Sequence, residues 1–246
     1  METPLKAGII TQARMTSTRL PGKIMLEASG KPVLQYHVER LQQSGLPVII
    51  ATTTNSSDDE VAEFATSHQL GLYRGDEENV LSRFYGAAQA YQLDIIIRVT
   101  SDCPLIDGKL VKMGLQRYLE DKSPQIYLSN SLQRDFPRGM DFEIFSFSLL
   151  EEAFLKATRR EDREHVTPYI NQNRSGDVII RQFRAESDKS HYRLTLDTPD
   201  DWRLLEKLIH EYDASRLSYR GIIALLDAHP ELANINAHIE QKKLEG

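Results

Sequence analysis

A cluster of positive side chains follows the first apolar run of the chain. Arg14, Arg19 and Lys23 lie in residues 8–23, GIITQARMTSTRLPGK. The β-branched start predicts a buried strand, and Pro21-Gly22 predicts a turn. Guanidinium groups offer a planar fork to phosphate oxygens, and an ammonium group offers a point charge. Because the whole chain carries a net charge of −6, we expect a local polyphosphate pocket, with a solvated basic loop as the alternative.

Two acidic residues follow β-rich runs elsewhere in the sequence. Asp102 comes after residues 94–100 (DIIIRVT), and Asp197 comes after residues 193–196 (RLTL). Mg²⁺ commonly takes one or two carboxylates together with phosphate oxygens and water. If both strands belong to one sheet, the two carboxylates can hold Mg²⁺ against a bound polyphosphate. A helix N-cap at Asp197, or a turn at Asp102 before Pro104, would explain the same residues without a metal.

Composition narrows the class of protein. The 246 residues are 40% hydrophobic and 27% charged, as in a soluble globular protein with a substantial core. A pI near 5.7 argues against a general nucleic-acid binder. The single cysteine, Cys103, excludes an intrachain disulfide and suits a reducing compartment. No apolar run has transmembrane length, and residues 1–4 do not begin a signal peptide, so we expect a cytoplasmic protein without a membrane partner.

Strand and helix patterns alternate over the first half of the chain. Strands are predicted from residue 8 and over 47–52, 70–74 and 94–100, and helices over 31–43, 57–67 and 80–91. This alternation predicts an α/β fold with a mostly parallel central sheet flanked by helices. Ligands of such folds bind beyond the carboxyl ends of the strands. The loops after Gln12, Thr52 and Thr100 should therefore converge on one crevice.

The second half is more irregular. Its predicted strands are 125–129, 144–147, 178–183 and 192–196, and its predicted helices are 109–120, 149–157, 201–212, 218–228 and 231–239. A charged loop separates the first two of these strands. No segment has the composition of a linker. We therefore predict a single domain over residues 1–246 with a small inserted α+β segment around 130–190.

Several motifs carry a family resemblance. IxxQARxxSTRLPGK at 9–23 resembles the opening signature of the cytidylyltransferases that activate sugar acids, such as CMP-Kdo synthetase and CMP-sialic acid synthetase. Ser101–Ile106 (SDCPLI) and Asp197–Asp201 (DTPDD) are similar to two later motifs of that family. Matches to its branch containing the spore-coat polysaccharide protein SpsF are Arg74–Arg83, Pro137–Glu143 and Arg163–Tyr169. The resemblance implies a Rossmann-like sheet of the nucleotide-diphospho-sugar transferase type.

The resemblance also implies roles for individual residues. It implies phosphate contacts for Arg14, Arg19 and Lys23. The predicted nucleotide-binding residues are Ala13, Arg14, Arg19, Lys23, Thr53 and Asp102, of which Arg14, Arg19, Lys23 and Asp102 would be catalytic. Asp102 and Asp197 would hold the Mg²⁺ cofactor. The implied reaction is attack of an acceptor oxygen on the α-phosphate of CTP, which displaces pyrophosphate and yields a CMP-linked intermediate for surface polysaccharide synthesis.

The acceptor side is less defined. Arg138, Asp141, Glu143 and His165 are the predicted acceptor-binding residues, although a charged rim or a packed histidine would fit the same positions. Cys103 departs from the acidic residue often found there in enzymes of the Kdo type. The expected partners are CTP and a small acidic sugar or a phosphate or phosphonate acceptor. The resemblance further implies a homodimer with residues 130–190 near the partner.

Two other functional classes fit an α/β nucleotide-binding fold. A glycosyltransferase that consumes a nucleotide sugar would be expected to carry a D-x-D metal motif, whereas Asp102 is followed by Cys103-Pro104. A non-catalytic nucleotide-binding scaffold would be expected to have lost a triphosphate cation or a metal carboxylate. Arg14, Arg19 and the other matched positions are intact, which favours the enzyme.

Overall fold

The structure is a computed structural model that describes residues 5–240. The strands are β1 (Ala7–Gln12), β2 (Glu27–Ala28), β3 (Lys31–Pro32), β4 (Val48–Thr53), β5 (Gly71–Gly75), β6 (Ile95–Thr100), β7 (Ile126–Ser129), β8 (Glu143–Ser146) and β9 (Ile179–Gln182). The helices are α1 (Val33–Gln42), α2 (Asp59–Ser67), α3 (Val80–Ala90), α4 (Gly108–Glu120), α5 (Phe147–Lys156), α6 (Arg160–His165), α7 (Pro168–Asn171), α8 (Pro199–Tyr212), α9 (Tyr219–Ala228) and α10 (Pro230–Ala233). Residues 1–4, on which the signal-peptide expectation rested, lie outside the described residues, as does the end of the domain predicted over 1–246.

Seven strands form the central sheet in the order β5-β4-β1-β6-β8-β7-β9. β1 lies between β4 and β6 and is parallel to both, and β5 and β9 are parallel to their neighbours. β8 runs antiparallel to both β6 and β7. The predicted mostly parallel sheet flanked by helices is therefore confirmed, with one reversed strand in its second half.

Both faces of this sheet are covered, which explains why its strands read as nearly continuous apolar runs. On β1, Ile9 packs on the face that carries α1 and α4, and Ile10 packs on the face that carries α3 and α5. Ile97 and Ile96 of β6 divide between the faces in the same way. Because side chains alternate along a strand, Arg98 shares the α3 face with Ile96.

The segment predicted as an insertion contributes to this same sheet. Of residues 130–190, β8 and β9 are strands of the central sheet, and β9 forms one of its edges. α5 packs on the α3 side of the sheet. None of the helices described between residues 5 and 240 is long and apolar enough to cross a lipid bilayer.

Two predicted elements differ from the structure. Residues 192–196 form no strand and make a single bridge, Arg138 with Arg193. Their apolar pattern reflects the burial of Leu194 and Leu196 in the core. The helix predicted over 231–239 is limited to α10. Its pattern is interrupted at Asn236, whose side chain is buried and donates to the Arg193 carbonyl at 3.0 Å and to Asp201 at 2.8 Å.

A glycine lets two loops approach at that bridge. Gly139 has a φ of +99°, and a Cβ there would lie 2.6 Å from the carbonyl oxygen of Leu194. The close approach allows the amide of Arg138 to donate to Tyr192 and the amide of Leu194 to donate to Arg138, at 3.0 and 2.7 Å. Gly139 therefore joins the loop of Arg138 to the segment that leads to Asp197.

We predict that Gly139→Ala destabilises the protein more than Gly176→Ala. Both glycines have positive φ, +99° and +89°, but a Cβ at Gly176 would meet no atom within 4 Å. The control therefore carries only the backbone strain, and Gly139→Ala adds a clash with main-chain atoms. We expect its free energy of unfolding to be lower than that of the control by at least about 1 kcal/mol in urea titrations. Equal losses would show that the approach to Leu194 is not tight.

Candidate active site

A cleft of about 1580 Å³ opens beyond the carboxyl ends of β1 and β6. Its walls include seven of the predicted site residues: Arg14, Arg19, Asp102, Arg138, Asp141, His165 and Asp197. The other four predicted residues, Ala13, Lys23, Thr53 and Glu143, are not part of the walls. Gln12, Ser57 and Thr100 line the cleft as well, so the loops after β1, β4 and β6 converge as expected.

Asp58 fixes the start of the basic loop. Its carboxylate is fully buried, and it accepts hydrogen bonds from the Met15 amide at 2.7 Å and from the Thr53 hydroxyl. Thr53, predicted to contact the nucleotide, is therefore fully buried and holds Asp58. Ala13 is also buried, with its amide on the carbonyl of Ala51 at 3.1 Å. The structure places both residues behind the loop, where they shape its path.

The centre of the site is one ammonium group between two carboxylates. Lys23 Nζ donates to Asp102 Oδ2 at 2.8 Å and to Asp197 Oδ1 at 2.9 Å. Burial lowers the pKa of Lys23, but the two carboxylates outweigh this effect and leave the pKa raised. Burial alone would raise the pKa of Asp102, but Lys23 outweighs it and leaves the pKa lowered. Lys23 and Asp102 are therefore both charged at neutral pH.

Two guanidinium groups complete the charge around Asp197. Arg19 Nη2 lies 3.0 Å from Asp197 Oδ1, and Arg193 Nη2 lies 2.9 Å from Asp197 Oδ2. The interpretation of Asp197 as a helix cap is wrong, because Thr198 caps α8. The Thr198 hydroxyl accepts from the Asp201 amide at 3.3 Å, and the Asp201 carboxylate accepts from the Thr198 amide at 2.9 Å. The carboxylate of Asp197 is thus left to face cations.

The chemistry of Asp102 and Asp197 fits a magnesium ion. Both carboxylates offer hard oxygen ligands, and both already form ion pairs with the ammonium of Lys23. Within residues 5–240, no group of three or more His, Cys, Asp or Glu side chains is arranged to hold a metal. A divalent ion at these two carboxylates would therefore take its remaining ligands from phosphate and water.

Three of the predicted acceptor residues line the cleft, and the fourth, Glu143, is buried behind it. Arg138 lines the cleft with no side-chain partner among the described residues, and burial lowers its pKa. Asp141 forms an ion pair with Arg134 at 2.5 Å. The imidazole of His165 lines the cleft, and burial lowers its pKa. Glu143 is buried, and its carboxylate is engaged by neighbouring side chains rather than open to the cleft.

Glu77 and Arg98 are among the charged wall residues that sequence reasoning missed. Glu77 accepts from Thr16 at 2.5 Å and from Asn55 at 2.6 Å, and it lies 3.7 Å from Arg14. Its signal was an acidic turn directly after β5. Arg98 also lines the cleft. Its signal was a charged residue inside the otherwise apolar run of β6, which the strand pattern hid.

A family model described as cytidylyltransferase matches residues 8–239. The chain belongs to the cytidylyltransferase family. This chain is 31% identical over 236 residues to the spore coat polysaccharide biosynthesis protein SpsF of Bacillus subtilis. The match covers 91% of this chain and 95% of SpsF. A cytidylyltransferase of Leptospira borgpetersenii has a TM-score of 0.87 and 35% identity, covering 98% of this chain and all of that one.

A more distant structure extends the likeness of fold. CMP-2-keto-3-deoxy-manno-octonic acid synthetase, solved with CTP, has a TM-score of 0.60 and 23% identity, covering 83% of this chain and 98% of that one. A 3-deoxy-manno-octulosonate cytidylyltransferase of Francisella tularensis is 32% identical over 228 residues, covering 85% of this chain and 87% of that protein. Together with the match to SpsF, it confirms the family resemblance seen in the sequence. The cytidylyltransferase is a CTP-dependent nucleotidyltransferase.

His37 of α1 joins β1 to the loop after β6, and its burial predicts a pH dependence of stability. Its ring is fully buried, with Nδ1 donating to the Cys103 carbonyl at 2.9 Å, so Nε2 accepts from the Thr11 hydroxyl at 2.8 Å. Burial lowers the pKa of His37 to about 4. The unfolded chain binds this proton at its ordinary pKa of about 6.5, so stability is lost as pH falls from about 6.5 towards 4.

We expect this one residue to cost roughly 2 kcal/mol of unfolding free energy between pH 7 and pH 5. Urea titrations of the cytidylyltransferase and of His37→Asn at both pH values measure the difference. The variant should be less stable at pH 7 but should lose less stability on acidification. An unchanged pH slope in His37→Asn would contradict the assignment.

Proposed function

We propose that this cytidylyltransferase transfers CMP from CTP to a small acidic acceptor with release of pyrophosphate and requires Mg²⁺. Its main support is the position of Lys23 between Asp102 and Asp197, with Arg19 on Asp197 and Arg14 on the walls of the same cleft. Such a set of cations and carboxylates suits a triphosphate with its metal. The name of SpsF, a spore coat polysaccharide protein, supports a role in surface polysaccharide synthesis.

In the proposed reaction an acceptor oxygen attacks the α-phosphorus in line. A bond forms between that oxygen and phosphorus, the bond to the β-phosphate oxygen breaks, and pyrophosphate leaves with the electron pair. Arg14, Arg19 and Lys23 bind the triphosphate and neutralise the charge that develops on pyrophosphate. When bound by Asp102 and Asp197, Mg²⁺ supplies further positive charge at the phosphate oxygens.

The acceptor is proposed to be a sugar acid, a phosphate or a phosphonate. Arg138, which has no side-chain partner among the described residues, is suited to its negative charge. A carboxylate or phosphate nucleophile is already ionised and needs no base. A hydroxyl nucleophile would need one, and the lowered pKa of His165 keeps its imidazole neutral at pH 7 and able to accept a proton.

Location and assembly form part of the same proposal. The one cysteine, Cys103, is a buried free thiol, and burial raises its pKa, as suits a protein of the reducing cytoplasm. Homodimer formation through residues 130–190 is supported by β9, an edge strand on which Ile179 and Ile180 are more than a third exposed.

The test is pyrophosphate release from each of the four nucleoside triphosphates with Mg²⁺, against acid, phosphate and phosphonate acceptors including 3-deoxy-manno-octulosonate. Release should require CTP and one acceptor. Asp102→Asn should lower kcat roughly a thousandfold, because a metal ligand is worth several kcal/mol in the transition state. Asp121→Asn is the matched control, since Asp121 pairs with Arg181 away from the cleft walls.

Other outcomes decide among the alternatives. Equal release from CTP and UTP would contradict cytidylyl transfer. CTP binding without turnover on any acceptor would favour a nucleotide-binding scaffold. Transfer of sugar from a nucleotide sugar would establish the glycosyltransferase alternative, which the sequence Asp102-Cys103-Pro104 disfavours.

A further inference from the structure

Arg98 and Glu143 form a cross-strand pair at the wall of the cleft. The two residues lie directly opposite each other on β6 and β8. Arg98 Nη1 donates to Glu143 Oε2, and the guanidinium lies 5.7 Å from the centroid of the Phe84 ring. Arg98 lines the cleft, whereas Glu143 does not. The carboxylate thus holds the arginine from behind.

Both carboxylate oxygens of Glu143 accept hydrogen bonds from neighbouring side chains. Its Oε1 accepts from the hydroxyl of Tyr127 on β7 and from the hydroxyl of Thr167 at 2.6 Å, while its Oε2 accepts from Arg98. A carboxylate with three short contacts to donors on three separate elements is fixed in place. We therefore do not expect the Glu143 carboxylate to contact a substrate, in contrast to the acceptor contact predicted from the sequence.

Thr167, one of the three donors to Glu143, follows a strained turn. Val166 has a φ of +71° and a ψ of −54°, and the Thr167 amide donates to the His165 carbonyl at 2.8 Å. This is a γ-turn with positive φ, a conformation that is rare and costly for a β-branched residue. Strain of this kind is retained where the surroundings fix it, often beside functional groups. Here the turn directs Thr167 to Glu143 and carries His165 on the cleft wall.

Arg98 keeps a donor that the protein does not satisfy. Its Nε is buried without a hydrogen-bond partner among the described residues, and Nη1 is the only nitrogen of its side chain with one. Unmet buried donors are uncommon in folded proteins, and each costs stability. Nη2 also lacks a hydrogen-bond partner among the described residues but is not buried, so it is the nitrogen that can reach an oxygen of a carboxylate or phosphate in the cleft.

Three of the acidic side chains that line the cleft already have cations. Asp141 pairs with Arg134, Glu161 with Arg174, and Glu164 with Arg160. None of these three carboxylates is left over for Arg98, whose ionic partner among the described residues is Glu143.

We propose that Arg98 binds an anionic group of the acceptor and that Glu143 is a positioning residue, which holds Arg98 and the turn of His165 as one preformed subsite. The inference rests on the proposed function and adds to it that Arg98, besides Arg138, contacts the negative charge of the acceptor. Arg98 lies two residues before Thr100 on β6, so its Cα is roughly 7 Å from that end of the strand. Glu143 acts through Arg98 and touches no substrate.

Steady-state kinetics of variants tests the subsite. Arg98→Met should raise the KM for the acceptor about tenfold to a hundredfold, since a hydrogen bond to a charged group is lost. CTP affinity, measured by calorimetry, should change less than about twofold, because the triphosphate side is intact. Arg98→Lys should recover part of the loss, as a point charge without the fork. Arg117→Met is the matched control, on an exposed arginine of α4.

Glu143→Gln should reproduce the rise in acceptor KM with a smaller effect on kcat. Glu151→Gln is its matched control, because Glu151 also accepts from a tyrosine hydroxyl, that of Tyr85, and is not on the cleft walls. If Glu143→Gln fails to fold, Thr167→Val removes one of its donors and should give a smaller change of the same kind. Parallel losses in CTP affinity and acceptor KM would show a merely structural role and overturn the inference.

A second measurement separates this inference from the proposed function. If no acceptor supports pyrophosphate release in the unmodified enzyme, the proposed function fails. Titration of the enzyme with inorganic phosphate, followed by the ¹⁵N NMR signal of the Arg98 Nε–H group, still tests the subsite. The signal should shift on phosphate addition, and the shift should be weakened in Glu143→Gln. A signal that does not move would overturn the subsite.

Discussion

The ammonium of Lys23 is shared by two carboxylates that belong to distant parts of the chain, Asp102 and Asp197. Its side chain is only 12% exposed, so the three charges are largely removed from water. Loss of one partner of a buried ion pair typically costs about 3–5 kcal/mol, so the arrangement is most stable when all three groups are present. The fold must therefore bring residues 23, 102 and 197 to one point.

Each member reaches that point by a different local device. Gly22, with a φ of +68°, turns the chain directly before Lys23. Asp102 follows β6, the strand next to β1 in the sheet. Asp197 ends an extended segment whose Leu196 amide donates to the Asp102 carbonyl at 2.7 Å. Main-chain bonds thus fix the two carboxylates relative to each other before any ligand is considered.

The sequence predicted the sheet and its helices well because both depend on hydrophobic periodicity, which is local. It also predicted that Arg14, Arg19, Asp102 and Asp197 meet in one crevice, because the strand ends of a parallel sheet share an edge. It could not separate cleft residues from residues behind the cleft. Thr53 and Glu143 are polar residues at strand ends, and only their three-dimensional partners, Asp58 and Arg98, reveal that they are buried supports.

Asp102 and Asp197 are proposed to hold a divalent ion together with the phosphates of CTP. Titration calorimetry of CTP, with and without Mg²⁺, tests it on the intact enzyme and on the double variant Asp102→Asn/Asp197→Asn. We expect Mg²⁺ to tighten CTP binding to the intact enzyme, and we expect the double variant to lose this dependence while it still binds CTP through Arg14 and Arg19. Mg²⁺-independent binding by the intact enzyme, or the same Mg²⁺ dependence in both proteins, would contradict it.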